Sequence, residues 1–517
     1  MNAKRKRTEK WASRSARDIE PLLPKGPRPR ELSVRGLLVG WHLTLGAGAP
    51  GHLTRVHATL RQMPVADKRR LGVPDNVTYR HVERLHTEIN GPMDPDPIQS
   101  PKTKAKRRTP LTAMDAAARE QRLGEVLGRM LRYSVPDTYL AHRAHAIDWT
   151  DVESWACPPT SKHGSVDTSA SWGHRRANRP TAPSGSARGA HSSTDESFWG
   201  YYEQAVTMTQ LEHGTAVPEL VVAAGLAAPT GGAKHPPALG IKLLRGHLDH
   251  GGSAGDLLAD SAYPYADDWS LATAELGYDL IVDVNSNLLG KRGVEQGAIV
   301  VDDQFLCPAT PSALVEIKRP SKTRSDIKRW RAYLDEVDER ARYALARHSR
   351  PDKQGYQRFR CPAAAGKVRC PLQKASMSLP LNRPKIHQPP TNPPTCCTQA
   401  TITIGPEVGA KVRQKYPYFG ARWQDSYTRR GAVERSFSNI KDRAVIDLER
   451  GAIRMIGSTK TRLIRTIAYV VLNHRLLDIF ERWIADPSRR RRKPRRSNAL
   501  LAAAERLGVA TNANSPP

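Results

Sequence analysis

Short apolar runs alternate with helical patterns in the middle of the sequence, and this alternation constrains the fold more than any other feature. Strand-like runs lie at Tyr201–Met208, Leu220–Ala224, Leu257–Ala259 and Tyr278–Val284, with a helical pattern at Tyr265–Leu276 before the last of them. A further extended segment, Ala146–Ala156, precedes them, and another strand-like run, Gly297–Leu306, follows them. Strands that give way to alternating helix and strand are typical of a sheet covered by helices. We therefore predict an α/β fold with a mixed sheet.

Changes in composition along the chain divide it into six segments. They are a helical region at 1–90, a basic Pro-rich linker at 91–110, the first part of the α/β domain at 111–285, an insertion with a charged helix and a Cys- and Pro-rich loop at 286–400, the C-terminal part of the α/β domain at 401–485, and a basic tail at 486–517. The tail is predicted to be disordered, because charge runs of this kind bury little apolar surface.

Two segments of the helical region carry specific predictions. Glu31–Leu45 has apolar residues at helical spacing, with Ser33 as its N-cap. Val65–Asn90 predicts two short helices that flank a Gly-Val-Pro break. In a helix-turn-helix motif the second helix would offer a DNA groove three side chains, namely Arg80, His81 and Arg84. Ordinary helix packing explains the same pattern, so both interpretations stay open.

The charge of the chain predicts a polyanionic partner. Eighty-one Lys and Arg residues oppose 51 Asp and Glu residues, which leaves a formal charge of +30. Neutralising phosphates releases their counterions, so DNA or RNA is the expected partner, and the Arg489–Arg496 run would add phosphate contacts. The six cysteines form no disulfide framework. No secretory signal and no membrane-spanning run is recognisable, so we expect a cytoplasmic protein.

Four chemically active side chains fall on one stripe of the helix predicted from residue 427 onwards. Arg430, Glu434 and Lys441 follow Tyr427 by 3, 7 and 14 residues. At about 100° per residue, the four occupy a stripe roughly 60° wide. A phenol, a guanidinium, a carboxylate and an ammonium are an unusual set for a core-facing stripe. They suit a carboxylate that binds a metal ion beside cations that bind phosphates.

The spacing Tyr-x2-Arg-x3-Glu-x6-Lys resembles the Y-R-E-K signature of a large group of bacterial insertion-sequence transposases of the DDE class. The sequence DLERGAIRMIGSTKTR that follows is also similar to this group. The resemblance covers about residues 140–480. It implies a ribonuclease-H-like catalytic domain, in which a mixed sheet is flanked by helices and interrupted by an insertion.

The resemblance also points to the first acidic residue of the catalytic set. This family has an Asp on its first strand in a D-G-T/S context, and the matching segment here makes Asp148 the candidate. Trp149 departs from the pattern, since a small residue is usual there, whereas Thr150 keeps the D-x-T spacing. Asp151 is the competing candidate, and we favour Asp148.

The second acidic residue of the family ends a buried strand and precedes a small residue and an aromatic one. Asp260 in LLADSAY matches this pattern, with Ala262 and Tyr263 after it. An Asp at a strand end is often only a turn former. The order Asp148, Asp260, Glu434 is nevertheless the one that the resemblance requires, and the insertion lies between the last two.

The resemblance implies a two-metal-ion DNA transesterase. Mg²⁺, for which Mn²⁺ substitutes, would be bound by Asp148, Asp260 and Glu434, because hard oxygen ligands suit these ions. The DNA backbone would be contacted by Tyr427, Arg430 and Lys441. The implied partners are double-stranded DNA, as terminal inverted repeats and as target, and a second copy of the chain in a homodimer. The implied location is the nucleoid of a bacterial cytoplasm.

Two weaker patterns have simpler explanations. Zinc ligands could come from Cys361, Cys370, His387, Cys396 and Cys397, but the spacing is not the usual C-x2–4-C, so we expect reduced thiols rather than a structural zinc site. Base stacking by Phe198, Trp199 and Tyr201 is less expected than hydrophobic packing of a strand.

Two other functions remain open. The departure at Trp149 favours a decayed or co-opted transposase that binds DNA ends without cutting them. A nuclease of the same fold, which hydrolyses DNA and does not rejoin it, is the other. The unbroken four-residue stripe favours the transposase, and strand-transfer products would separate it from the nuclease.

Overall fold

A computed structural model describes residues 3–26, 29–97, 111–176, 195–229, 237–266, 268–320, 327–352 and 354–486. The Arg489–Arg496 run and most of the basic tail, much of the linker and residues 177–194 lie outside these ranges. Among the described residues, no helix has the length and apolar character needed to cross a membrane.

The N-terminal region is helical, as predicted. Its helices are α1 (Ala3–Ile19), α2 (Val34–Gly46), α3 (Leu53–Gln62), α4 (Val65–Leu71), α5 (Tyr79–Asn90) and α6 (Ala113–Arg132). Ser33 caps α2, because its Oγ accepts a hydrogen bond from Gly36 N at 2.9 Å. Helix α4 ends at Gly72, whose φ of 67° lies in the left-handed region. The pair α4 and α5 therefore has the predicted form.

A six-stranded mixed sheet forms the centre of the molecule and confirms the predicted α/β class. The strands are β1 (Ala144–Glu153), β2 (Ser171–Arg176), β3 (Asp195–Met208), β4 (Val221–Ala227), β5 (Asp256–Ala259) and β6 (Asp279–Val282). The order is β4-β3-β1-β5-β6, and β2 also pairs with β3. β1 is antiparallel to β3 and parallel to β5, and β6 is parallel to β5. The parallel half of the sheet positions the carboxyl ends of β5 and β6 beside the middle of β1.

Helices link and cover this sheet. Helix α7 (Pro237–Asp249) connects β4 to β5, and the short α8 (Ala262–Tyr265) and α9 (Trp269–Glu275) connect β5 to β6. The prediction of a single helix over Tyr265–Leu276 is wrong in its first turn, because α8 ends at Tyr265 and α9 begins only at Trp269. One hydrophobic core contains residues of the N-terminal helices and of the sheet. The two regions therefore stabilise each other.

The insertion contains two small sheets and a long helix. Its elements are β7 (Lys291–Glu295), β8 (Ala298–Val301), β9 (Gln304–Leu306), α10 (Ser312–Val315), α11 (Ile327–Tyr343), β10 (Ala346–Arg347), β11 (Gln357–Arg360) and α12 (Thr395–Thr398). The second small sheet is completed by β12 (Ile402–Ile404), which pairs with β11 and lies just past the predicted boundary at residue 400. The strand-like run Gly297–Leu306 is a hairpin rather than one strand. It turns at Asp302, whose φ of 51° is one that Asp adopts more easily than β-branched residues.

Helix α11 is not the solvated face that its i,i+4 charges suggest. The spacing favours Glu336 with Arg340, yet Arg340 is buried and pairs with Asp302 at 2.5 Å. Glu336 pairs instead with Arg329 at 3.1 Å. The likewise spaced Asp338 accepts a hydrogen bond from a backbone amide of the C-terminal segment. Tertiary packing against the hairpin and that segment overrides the local pairing.

The C-terminal segment contains α13 (Ala421–Tyr427), α14 (Gly431–Lys441) and α15 (Ser458–Ala485). A long helical pattern is therefore interrupted twice. Residues 428–430 form a tight 3-10 turn between α13 and α14. Gly451 and Gly457, with φ of 96° and 97°, lie in the irregular stretch before α15. Helix α15 is buried along most of its length and packs on α2, α6 and β4.

Candidate catalytic carboxylate site

The register of two parallel strands brings the first two acidic candidates together. Ala146 of β1 lies opposite Leu258 of β5. Two residues further along each chain, Asp148 and Asp260 occupy the same level, on neighbouring strands and pointing to the same side. β5 ends at Ala259, so Asp260 lies at the strand end, where its Oδ1 accepts a hydrogen bond from Ala262 N at 3.0 Å.

Burial and mutual repulsion change the acidity of both groups. Burial, followed by the charge of Asp260, raises the pKa of Asp148 to about 7, although Arg430 and the Trp149 amide oppose the change. Burial also raises the pKa of Asp260, against the Ala262 amide and Arg430. Two neighbouring buried carboxylates resist ionising together, unless a cation compensates their charge.

Arg430 is the cation that the described structure puts between the carboxylates. Its guanidinium donates to Asp148 Oδ2 at 2.6 Å and also to Glu434 Oε1. Arg430 closes the 3-10 turn, and Glu434 lies in the first turn of α14. One guanidinium therefore connects the middle of β1 to the side chain of a helix far along the chain.

The ring of Tyr427 packs against the guanidinium of Arg430. Tyr427 ends α13, and its ring stacks on Trp423 with centroids 4.5 Å apart and planes inclined by 13°. The Arg430 guanidinium lies 5.7 Å from the centre of the Tyr427 ring. Burial raises the pKa of the Tyr427 phenol. The four signature residues therefore do not share one continuous helix, because α14 begins only after Arg430.

Lys441, at the end of α14, reaches β1 beyond Asp148. Its Nζ donates to Thr150 Oγ1 at 2.7 Å and lies 3.5 Å from Asp151 Oδ1. The two candidates for the first acidic residue therefore have different neighbours. Asp148 contacts Arg430 and faces Asp260, whereas Asp151 lies next to Lys441.

Asp283 is a carboxylate of this site that sequence reasoning missed. Ala259 of β5 lies opposite Val282 of β6, so Asp260 and Asp283 follow at the same level. The Tyr418 hydroxyl donates to Asp283 Oδ1 at 2.6 Å. The signal was present in the sequence, because LIVD repeats the pattern of three apolar residues and an Asp that marked Asp260.

The two weaker patterns of the sequence are the aromatic residues around Phe198 and the cysteine and histidine residues of the insertion. Phe198 and Tyr201 are buried, which confirms their predicted packing role. His387 is exposed, while Cys361 and Cys370 are buried in one cluster with Cys307. Within the described ranges, no three or more His, Cys, Asp or Glu side chains are gathered so that they could hold a metal ion. This includes the carboxylate site, where Arg430 lies between Asp148 and Glu434.

Comparison of the chain with protein-family models, with curated proteins and with solved structures found no match. The functional assignment therefore depends on the geometry of the site and on the sequence signature.

Proposed function

We propose that this chain is a DDE-type transposase with a ribonuclease-H-like catalytic domain, which binds the ends of an insertion sequence and cuts and joins DNA. The observation that carries the proposal is the arrangement of three acidic residues from distant parts of the chain. Asp148 lies on β1 beside Asp260, which follows the end of the adjacent strand β5, and Arg430 links Asp148 to Glu434. The strand order β4-β3-β1-β5-β6, antiparallel on one side of β1 and parallel on the other, supports the fold assignment.

The carboxylates have the chemistry that Mg²⁺ requires. Asp148 and Asp260 offer hard oxygen ligands, and their mutual repulsion would be relieved by a divalent cation. These two residues would hold Mg²⁺, or Mn²⁺, with Glu434 as the third ligand. The bound ions would activate the attacking oxygen and stabilise the leaving oxygen at phosphorus.

The cations around the carboxylates would orient the DNA. Arg430 pairs with Asp148 and Glu434 here, and its guanidinium can form bidentate hydrogen bonds with a phosphate. Lys441 lies on the same side of β1 as Asp148, where its ammonium group donates a hydrogen bond to Thr150. Tyr427 fixes Arg430 by ring contact. We propose that these side chains position the backbone at the transposon end, with two copies of the chain pairing two ends.

The test compares the wild-type protein with Glu434→Gln on the native flanking DNA in Mg²⁺. Cutting at the ends and joining to a target plasmid are scored separately, and end binding is measured by fluorescence anisotropy. Glu275→Gln, which removes an exposed carboxylate at the end of α9, is the matched control. We expect Glu434→Gln to bind ends normally and to lose cutting and joining by at least 100-fold, on the order of the effect of removing a catalytic group.

Other results would replace the proposal with one of its alternatives. Specific end binding by the wild type without cutting would indicate a DNA-binding protein derived from a transposase. Cutting without strand transfer would indicate a nuclease. Equal activity of Glu434→Gln and Glu275→Gln would remove Glu434 from the catalytic set.

A further inference from the structure

A series of basic side chains follows β1 away from the carboxylates. Each cation contacts the strand, or the residues just after it, further along than the previous one. The contacts are Arg430 with Asp148 at 2.6 Å, Lys441 with Thr150 at 2.7 Å, Arg450 with Glu153 at 3.7 Å, and Arg454 over the Trp155 ring at 5.2 Å. The last two cations come from the irregular stretch between α14 and α15. They were not part of the sequence signature.

A basic cavity lies at the far end of this series. Its volume is about 660 Å³, and it is bordered by the start of α3 on one side and by residues 443–454 on the other. Its cationic side chains are Arg55, Arg443, Arg450 and Arg454, and the one acidic side chain that lines it is Asp447. The N-terminal helical region and the catalytic part of the chain therefore form this cavity together.

The arginines of the cavity are available to an external anion. Arg55 and Arg454 are exposed and form no ion pair with the described part of the chain. Arg443 lies 4.0 Å from Glu449, and Arg450 lies 3.7 Å from Glu153. The Arg443 side chain is 82 % exposed and that of Arg450 is 49 % exposed. Long, solvated ion pairs contribute little, so phosphates would displace them at small cost.

The length of the series matches a short stretch of duplex DNA. Asp148 and Glu153 are five residues apart on β1, which corresponds to roughly 16 Å at about 3.3 Å per residue. One base pair advances the duplex by about 3.4 Å, so the same distance covers about five base pairs. A small anion would need only one of these cations, whereas a DNA strand would contact them in succession.

We call the series from Arg430 through Lys441 and Arg450 to Arg454, together with the basic cavity, the basic track. We propose that this track binds the backbone of duplex DNA on one side of the scissile phosphate, so that the cavity holds phosphates about five base pairs from the carboxylates. The proposal depends on the proposed function, because it takes Asp148 as the cutting centre. The residues that it adds are Arg55, Arg443, Arg450 and Arg454.

The first experiment measures DNA affinity as a function of salt. The triple variant Arg443→Gln/Arg450→Gln/Arg454→Gln is compared with Arg350→Gln/Arg358→Gln/Arg383→Gln, which removes three exposed arginines from the insertion. The slope of log K against log salt is negative, and each lost phosphate contact reduces its magnitude by about 0.9. We therefore expect the magnitude to be smaller by about 2 to 3 in the track variant and unchanged in the control. If the triple variant does not fold, Arg454→Gln alone replaces it, and the magnitude of its salt slope should be smaller than that of the wild type by about 1.

The second experiment shortens the end duplex stepwise on each side of the cutting position. On one side, wild-type affinity should fall once fewer than about five base pairs remain, and the track variant should be insensitive to this shortening. Equal salt slopes for the track and control variants would overturn the track, even if cutting is normal. Track-dependent binding without any cutting would overturn the proposed function and keep the track. A wild type that binds no DNA would overturn both.

Discussion

Replacing Asp148 with Asn should change how the stability of the protein depends on pH. Asn has the same shape, and its Oδ1 can still accept the hydrogen bond that the Trp149 amide donates to Asp148 at 2.8 Å. The change therefore removes a titratable proton and keeps one acceptor, but the Asn amide group that replaces Oδ2 cannot accept the hydrogen bond that Arg430 donates there. Burial, followed by the charge of Asp260, raises the pKa of the native carboxyl to about 7.

The sign and the size of the effect follow from proton linkage. An unfolded Asp ionises near pH 3.9, so between about pH 4 and pH 7 the folded state retains a proton that the unfolded state has released. Wild-type stability should therefore fall as pH rises through this window. At about 1.36 kcal/mol for each pH unit, the loss is at most about 4 kcal/mol. The Asp148→Asn variant lacks this loss. Its free energy of unfolding should therefore exceed that of the wild type by up to about 4 kcal/mol at pH 8 and equal it near pH 4.

Urea denaturation followed by circular dichroism between pH 4 and pH 8 provides the measurement. EDTA is present, because a divalent cation would stabilise the ionised carboxylate. Asp425→Asn, which removes an exposed carboxylate of α13, is the control for charge alone. A difference between Asp148→Asn and the wild type that stays constant across this pH range would refute the argument, since Asp148 would then not titrate within it.

Two further predictions concern the metal and the sheet. Mg²⁺ at a hundredfold excess over its Kd should stabilise the wild type by roughly 2.7 kcal/mol and the Asp148→Asn variant much less. Thermal melts with Mg²⁺ or with EDTA measure this difference. Equal shifts of the melting temperature in the two proteins would contradict Asp148 as a metal ligand. Gly200→Ala should destabilise by about 2 kcal/mol or more, because its new Cβ would overlap Val152 O and crowd Ser154 N, whereas Gly246→Ala, which meets open space in α7, should be neutral or stabilising by up to about 1 kcal/mol. Equal unfolding free energies for these two glycine variants would show that β3 can move away from β1.

Much of the local structure could be predicted because it depends on neighbouring residues. The N-cap at Ser33 and the break at Gly72 are properties of a few consecutive residues, and both appear where the pattern puts them. The apolar runs that predicted β4, β5 and β6 were recognisable for the same reason. The hairpin at Asp302 was missed, because an apolar run hides a turn made by two polar residues.

Local pattern alone identified the acidic candidates, but it did not determine their neighbours. Helical geometry put Tyr427, Arg430 and Glu434 on one stripe, and in the structure they are close together even though a 3-10 turn separates two helices. The pairing of Arg430 with Asp148 depends on where α14 packs against β1, which joins residues 282 positions apart. No periodicity within the chain contains that information.

By itself, the sequence determined the class of the fold, most of its elements and a set of acidic and basic residues suited to phosphate chemistry. Only the tertiary structure decided which of them meet. The register of β1, β5 and β6 aligned Asp148, Asp260 and the overlooked Asp283. Packing of α3 near residues 443–454 produced the basic cavity. Hydrogen bonding and side-chain periodicity act over a few residues, whereas these contacts depend on how distant surfaces fit together in one core.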